Sequence, residues 1–158
     1  MIPLQKAVDD FFAAETFAIA GYSRTGNSPA NIIYQKLQTL GKTVYAINPA
    51  ASEINGINCY QNIASIGEKV QALVIAAHPK ATVALMQQAI DHGVRVVWIH
   101  KSIDGGSFDA QAIEMARQNQ ITLIPSGCPM MFCKNADLFH KCMGWFMKKT
   151  GKIPATLS

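Results

Sequence analysis

A chain of 158 residues, 49% hydrophobic and 15% charged, fits one domain with a substantial core and excludes a disordered or collagen-like polymer. Its formal charge of +4 favours an anionic ligand in a general way and is too small to argue for a nucleic-acid binder. No stretch reaches the ~18 apolar residues of a membrane span.

The N-terminal "MIPLQKAVDDFFAAETFAIAG" carries Asp9 and Asp10 and lacks the basic start of a signal peptide. Four cysteines, Cys59, Cys128, Cys133 and Cys142, then read as reduced thiols of a cytoplasmic protein. The first predicted element is a helix over "LQKAVDDFFAA". It precedes the apolar run "TFAIAG" (16–21), and "TVYAIN" (43–48), "ALVIAA" (72–77), "VRVVWIH" (94–100) and "ITLIP" (121–125) follow. These runs are rich in Val and Ile and barely alternate in polarity, as strands buried on both faces of a parallel sheet do.

Helical patterns lie between the runs. Ser28 serves as an N-cap before Pro29, and Gly41 stops "NIIYQKLQTL". "QNIASIGEKV" supplies only a turn or two. "PKATVALMQQAIDHG" runs from Pro79 to Gly93 with Val83, Met86 and Ile90 on one face, and "SFDAQAIEMARQNQ" places Phe108, Ile113 and Met115 near a single stripe. This alternation predicts an α/β fold with three layers, a doubly wound, mostly parallel five-stranded sheet with helices on both faces. We read residues 1–158 as one domain, with a core of about 15–130 and a helical extension over 131–158.

Such sheets bind ligands beyond the carboxyl ends of their strands. After the first strand comes Gly21-Tyr22-Ser23-Arg24-Thr25-Gly26-Asn27-Ser28-Pro29, combining a flexible glycine, hydroxyls, a cation and a helix start. It is a phosphate seat or an ordinary strand-to-helix turn, and its spelling is neither G-x-G-x-x-G nor a Walker A loop. The second strand ends on Asn48-Pro49, a shelf for an adenine or a plain turn start. An NAD site wants a carboxylate there, and none occurs before Glu53. The third ends "AAHPK": Ala76 and Ala77 are small, His78 is a base or a polar contact, and Lys80 opposes the dipole of the helix that begins at Pro79. Trp98 lies within the fourth strand, and the fifth leads to Cys128-Pro129.

Taken together, "GYSRTGN", the Asn48-Pro49 corner, "AAHPK", a Trp-containing fourth strand and a late Cys-Pro resemble the CoA-binding domain family, over roughly residues 15–130. That family is Rossmann-like, includes small stand-alone bacterial proteins, and supplies the N-terminal part of the succinyl-CoA synthetase alpha subunit. The resemblance implies that coenzyme A or an acyl-CoA is bound. Its phosphates would lie against Gly21, Ser23, Arg24 and the helix from Pro29, its adenosine near Asn48 and Pro49, and its pantetheine arm past Ala77 to Lys80. The cofactor-contacting set under this likeness is Gly21, Tyr22, Ser23, Arg24, Ser28, Asn48, Pro49, Ala77, His78, Pro79, Lys80, Trp98, Cys128 and Pro129. The ligase's phosphorylated histidine belongs to a second domain for which this chain has no room, so no catalytic residue is carried over.

Beyond that core, "MMFCKNADLFHKCMGWFMKKTGKIP" reads as an amphipathic helix with Phe132, Ala136, Phe139, Met143 and Phe146 on its apolar face. Lys134, Lys141 and Lys148 repeat on the other side, which suits a solvated face, a membrane surface or a docking partner. Cys128, Cys133, His140 and Cys142 match no zinc spacing, and no metal ligands are assigned. The leading expectation is therefore a CoA-binding module without chemistry of its own, with a homodimer compatible. Alternatives are an NAD(P)-binding oxidoreductase or redox sensor, in which Arg24 would meet a 2′-phosphate, and an acyl-transfer enzyme using His78 or Cys128.

Overall fold

A computed structural model describes residues 2–102, 105–133, 138–151 and 156–157. Seven strands share one sheet: β1 (Thr16–Ala20), β2 (Thr43–Ile47), β3 (Glu53–Ile54), β4 (Ile57–Tyr60), β5 (Ala72–Ile75), β6 (Val96–Ile99) and β7 (Thr122–Ile124). Their spatial order is β7-β6-β5-β1-β2-β4-β3, parallel throughout except for β3. The five apolar runs become the five longer-range parallel strands β1, β2, β5, β6 and β7.

The expected count of five strands is corrected to seven by a hairpin in "SEINGINCY". Asn55 and Gly56 both hold positive φ, 51° and 80°, the backbone of a two-residue turn matching strand twist. Glu53 pairs with Asn58 and Ile54 with Ile57, and β4 then joins β2 in parallel through Ala46–Cys59 and Ile47–Tyr60. An Asn-Gly pair flanked by Ile on either side is a strong local hairpin signal.

Helices cover both faces. α1 (Leu4–Ala13) and α2 (Pro29–Thr39) pack on one, α3 (Pro79–Asp91) and α4 (Ala110–Gln118) on the other. Strand residues divide between the two layers by alternation: Phe17, Ile19, Val74 and Trp98 face α1 and α2, while Ala18, Leu73, Ile75, Val97 and Ile99 face α3 and α4. On the first face Phe11 meets Phe17 and Trp98 edge-on at 5.1 and 4.9 Å, each contact adding about 0.5–1.5 kcal/mol beyond area burial.

The C-terminal helix is shorter than the amphipathic pattern implied. A 3₁₀ turn at Pro129–Met131 puts Phe132 outside it, and α5 spans Leu138–Lys149. Phe132 packs instead on Trp98 with ring centres 5.5 Å apart. Lys134, Ala136 and the side chains of Phe139, Met143 and Phe146 lie outside the described residues. Met147 is buried, and Gly144 sits so close to the 3₁₀ turn that a Cβ there would meet Met131 Cβ at 3.2 Å.

Candidate ligand site at the carboxyl ends of the strands

The chain winds outward from β1 through β2 to β4, then returns to β5 on the other side of β1. The reversal opens a crevice between the carboxyl ends of β1 and β5, the usual ligand position on such sheets. A cavity of about 270 Å³ lies there, and it gathers Gly21, Tyr22, Asn48, Pro49 and Ala77 from three strand ends. Ala81, Ala84, Leu85 and Gln88 of α3 form its other wall, with Gln61. A second hollow of about 480 Å³ meets it at Pro49 and Gln61 and runs on past Ser52, Cys59, Tyr60 and Ser65.

Gly21 has φ of +102°, and a side chain there would run into the carbonyl of Ala76, whose carbon lies 2.6 Å from the Cβ position. The glycine is therefore demanded first by the protein's own backbone at the mouth of the cleft.

The following turn is braced by Asn31, which lies outside the set expected from the sequence. Its buried side chain accepts the Ser23 amide at 2.9 Å, donates to the Ser23 carbonyl at 2.8 Å, and accepts the Ser28 hydroxyl at 2.7 Å. Ser28 caps α2 as expected, accepting the Asn31 amide at 3.3 Å, and its own amide bonds the Thr25 carbonyl. Three amides of the turn, those of Ser23, Ser28 and Asn31, are thus tied to the chain itself. The amides of Arg24, Thr25, Gly26, Asn27 and Ala30 take no part in these bonds. The Ser23 hydroxyl has only a long contact, 3.4 Å, to the Thr25 carbonyl. Arg24 is exposed and belongs to none of the ion pairs among the described residues.

Asn48 also works internally. It donates to the Tyr22 carbonyl at 2.8 Å and accepts the Ala50 amide at 2.8 Å, locking the end of β2 to the turn after β1 and presenting the exposed ring of Pro49. Tyr22 packs its ring on Tyr34 with centres 5.0 Å apart; burial, then the nearby Cys59, hold its phenol above the usual range, so it stays neutral. At the third strand end, His78 caps α3 by accepting the Lys80 amide on Nδ1 at 3.2 Å, and Pro79 and Lys80 are exposed beside it. Ser107, buried in the segment after β6, donates through Oγ to the Ala77 carbonyl, while its own carbonyl accepts from Thr82 at 2.7 Å. That staple holds the Ala77 wall against α3.

Trp98, Cys128 and Pro129 are not brought to the cleft. Trp98 is fully buried on the opposite face of the sheet, its Nε1 donating to the Gly127 carbonyl at 3.3 Å. Cys128 and Pro129 are buried in the same layer and do not line the cavity. His78 and Cys128 thus belong to different surroundings, one an exposed cap and the other a core thiol. The α3 residues outside the expected set have a sequence signal, the three- and four-residue spacing of Ala81, Ala84, Leu85 and Gln88. The expected stripe of Val83, Met86 and Ile90 lies partly to one side of it.

The fold, the switch-point cleft and the braced turn define a Rossmann-like α/β domain with a candidate ligand cleft. The family description "CoA binding domain" matches residues 15–134, and the chain belongs to that family. Among curated proteins it is similar to acetate–CoA ligase (ADP-forming) I of Archaeoglobus fulgidus, 26% identical over 127 residues, and to isoform II, 28% identical over 123. These alignments cover 77% and 72% of this chain and 18% of each ligase, so the chain spans under a fifth of the relatives it matches. In structure it is similar to a hypothetical protein of Pyrococcus horikoshii OT3, with TM-score 0.73, 24% identity, and 82% and 92% of the two chains covered. A dinucleotide-forming acetyl-coenzyme A synthetase of Ca. Korarchaeum cryptofilum gives TM-score 0.59 and 21% identity, covering 73% of this chain and 26% of that one. Both likenesses bear on the fold.

Proposed function

We propose that this protein binds coenzyme A or an acyl-CoA in the switch-point cleft and does no chemistry of its own there. The observation that carries the reading is the convergence of Gly21, Asn48-Pro49 and Ala77 on one cavity, in a chain of the CoA-binding domain family. The residues present suit such a ligand. Alanine and leucine side chains of α3 offer an apolar wall for a pantetheine chain. Pro49 separates two hollows, one for that arm and one for the adenosine.

The diphosphate falls to the turn after β1. With Ser23, Ser28 and Asn31 amides already bonded, its anion-binding groups are the Arg24 guanidinium, the Ser23 hydroxyl and the amides of residues 24–27 and Ala30 at the positive end of α2. Each charge-assisted bond contributes about 1.5–3 kcal/mol, so two or three supply a large part of the ~8 kcal/mol of a micromolar ligand, and burial of the pantetheine arm supplies the rest. Asn31 and Asn48 hold the turn and the corner in place and leave the contacts to their neighbours.

Parallel calorimetric titrations with CoA, acetyl-CoA, NAD(H) and NADP(H) test the reading. Saturable binding of CoA or acetyl-CoA, with no heat from the dinucleotides, is the expected result. Tight dinucleotide binding with no response to CoA would replace it with the oxidoreductase alternative.

A further inference from the structure

All of the chain's formal charge of +4 resides in its last segment. Residues 134–158 hold five lysines and one aspartate, whereas residues 1–133 hold nine basic and nine acidic side chains. Among the described side chains of α5 the exposed ones are Lys141, Cys142, Trp145, Lys148 and Lys149. They stand at −4, −3, 0, +3 and +4 relative to Trp145 and so form a single face with the indole at its centre. Trp145 is 62% exposed, the most exposed large apolar side chain among the described residues, and the Lys149 ammonium lies 4.8 Å from its ring centre. The opposite side of the helix, Gly144 and Met147, is spent on packing against the body of the protein. No acidic side chain occurs within Leu138–Lys149.

We propose that this face of α5 docks on an anionic phospholipid surface. An indole prefers the headgroup boundary, where its apolar body is buried and its N–H stays wet. Lysine stems extend along such a surface with the ammonium groups among the phosphates, each contributing electrostatic attraction that salt screens. The remaining, electrically balanced body neither adds to nor opposes that attraction at long range. α5 lies flat and does not enter the bilayer, because its inner side is committed to the core, and among the described residues no helix is long and apolar enough to cross a membrane.

The two tryptophans make the test direct. Trp98 is fully buried and gives a constant background, so changes in emission report Trp145. The probes are vesicles of phosphatidylcholine alone and of phosphatidylcholine mixed with phosphatidylglycerol. The expected result is co-sedimentation with the mixed vesicles only, reversed by salt, with a blue shift and reduced acrylamide quenching of Trp145. Replacing Lys141, Lys148 and Lys149 together by Gln weakens binding about a hundredfold, at roughly fivefold per lysine, while the Trp98 emission shows the fold intact. Absence of binding to the mixed vesicles at low salt overturns the proposal and hands the face to an acidic protein surface. Binding with Trp145 emission unchanged, or undiminished in the triple variant, overturns it too. So does a concentration-dependent blue shift without vesicles, which would put a second copy of the chain on this face. None of these readouts depends on CoA.

Discussion

Asn31 grips Ser23 from both sides of its peptide unit, accepting the amide at 2.9 Å and donating to the carbonyl at 2.8 Å. One buried side chain on α2 thereby sets the shape of the turn that follows β1, and with it the direction in which the neighbouring amides and the Arg24 side chain project. Replacing Asn31 by Ala removes both bonds and the partner of the Ser28 hydroxyl, and leaves polar groups half-buried. A loss of about 1–3 kcal/mol in urea unfolding is expected, together with a fall in CoA affinity larger than that of any single exposed residue of the turn. Unchanged affinity in a folded variant would show that the clamp is dispensable for the site.

Arg24 makes the complementary case. It is exposed and outside the ion pairs among the described residues, so Arg24→Ala leaves the unfolding midpoint within error. CoA binding should weaken by about 10- to 100-fold, the loss of one charge-assisted contact. The deficit should shrink as ionic strength rises in both proteins, since the wild-type contact is screened. Calorimetry over a salt series checks both points.

A methyl group at residue 21 tests the cleft mouth. Gly21→Ala directs a Cβ at the Ala76 carbonyl from a backbone of φ +102°, where a side chain is already strained. Destabilisation of about 2–4 kcal/mol is expected from strain and overpacking combined. Thermal unfolding measures it, and the same variant should also bind CoA poorly because the β1 and β5 ends move apart.

Trp98 separates core from site. Trp98→Phe removes one of the two bonds to the buried Gly127 carbonyl, which keeps the Lys101 amide at 3.0 Å, and leaves a void beside Phe11 and Phe132, which should cost about 1–3 kcal/mol in urea. CoA affinity should be unaltered at temperatures where the variant is folded. A selective loss of affinity would return Trp98 to the cleft.

Thiol ionisation gives a pH signature. Burial pushes the Cys59 thiol up, a backbone bond at Ile54 opposes the shift, and the Glu53 charge adds to it; burial likewise raises Cys133 against the pull of Lys36. A raised folded pKa means the native thiol keeps its proton where the unfolded one has lost it. The stability it contributes is therefore complete below the unfolded thiol pKa of about 8.5 and is lost as pH climbs from there toward the folded value. Denaturant midpoints should fall on that alkaline limb, and Cys59→Ala with Cys133→Ala should flatten the fall. At neutral pH a thiol reagent should label Cys142, which is exposed, well before either buried thiol.

The amino-acid sequence by itself determined the layered α/β architecture, because short Val- and Ile-rich apolar runs such as "ALVIAA", alternating with helical patterns, suit strands covered on both faces. It also determined the helix starts, since Ser28-Pro29 carries cap and first turn in adjacent residues and Pro79 opens the next helix, while the capping role of His78 emerged only in the structure. The hairpin at Asn55-Gly56 is equally local, its turn residues legible in a run too short to show alternation. Tertiary structure alone decided which strand-end residues share a cleft. Gly21, Asn48 and Ala77 are far apart in the chain and meet only because the winding order reverses between β1 and β5. The same register sent Trp98 to the other face, since one step along a strand exchanges cleft side for core side. Asn31 was invisible for a related reason: its value lies in reaching back across a turn to Ser23, and spacing along a helix cannot reveal what a side chain meets outside it.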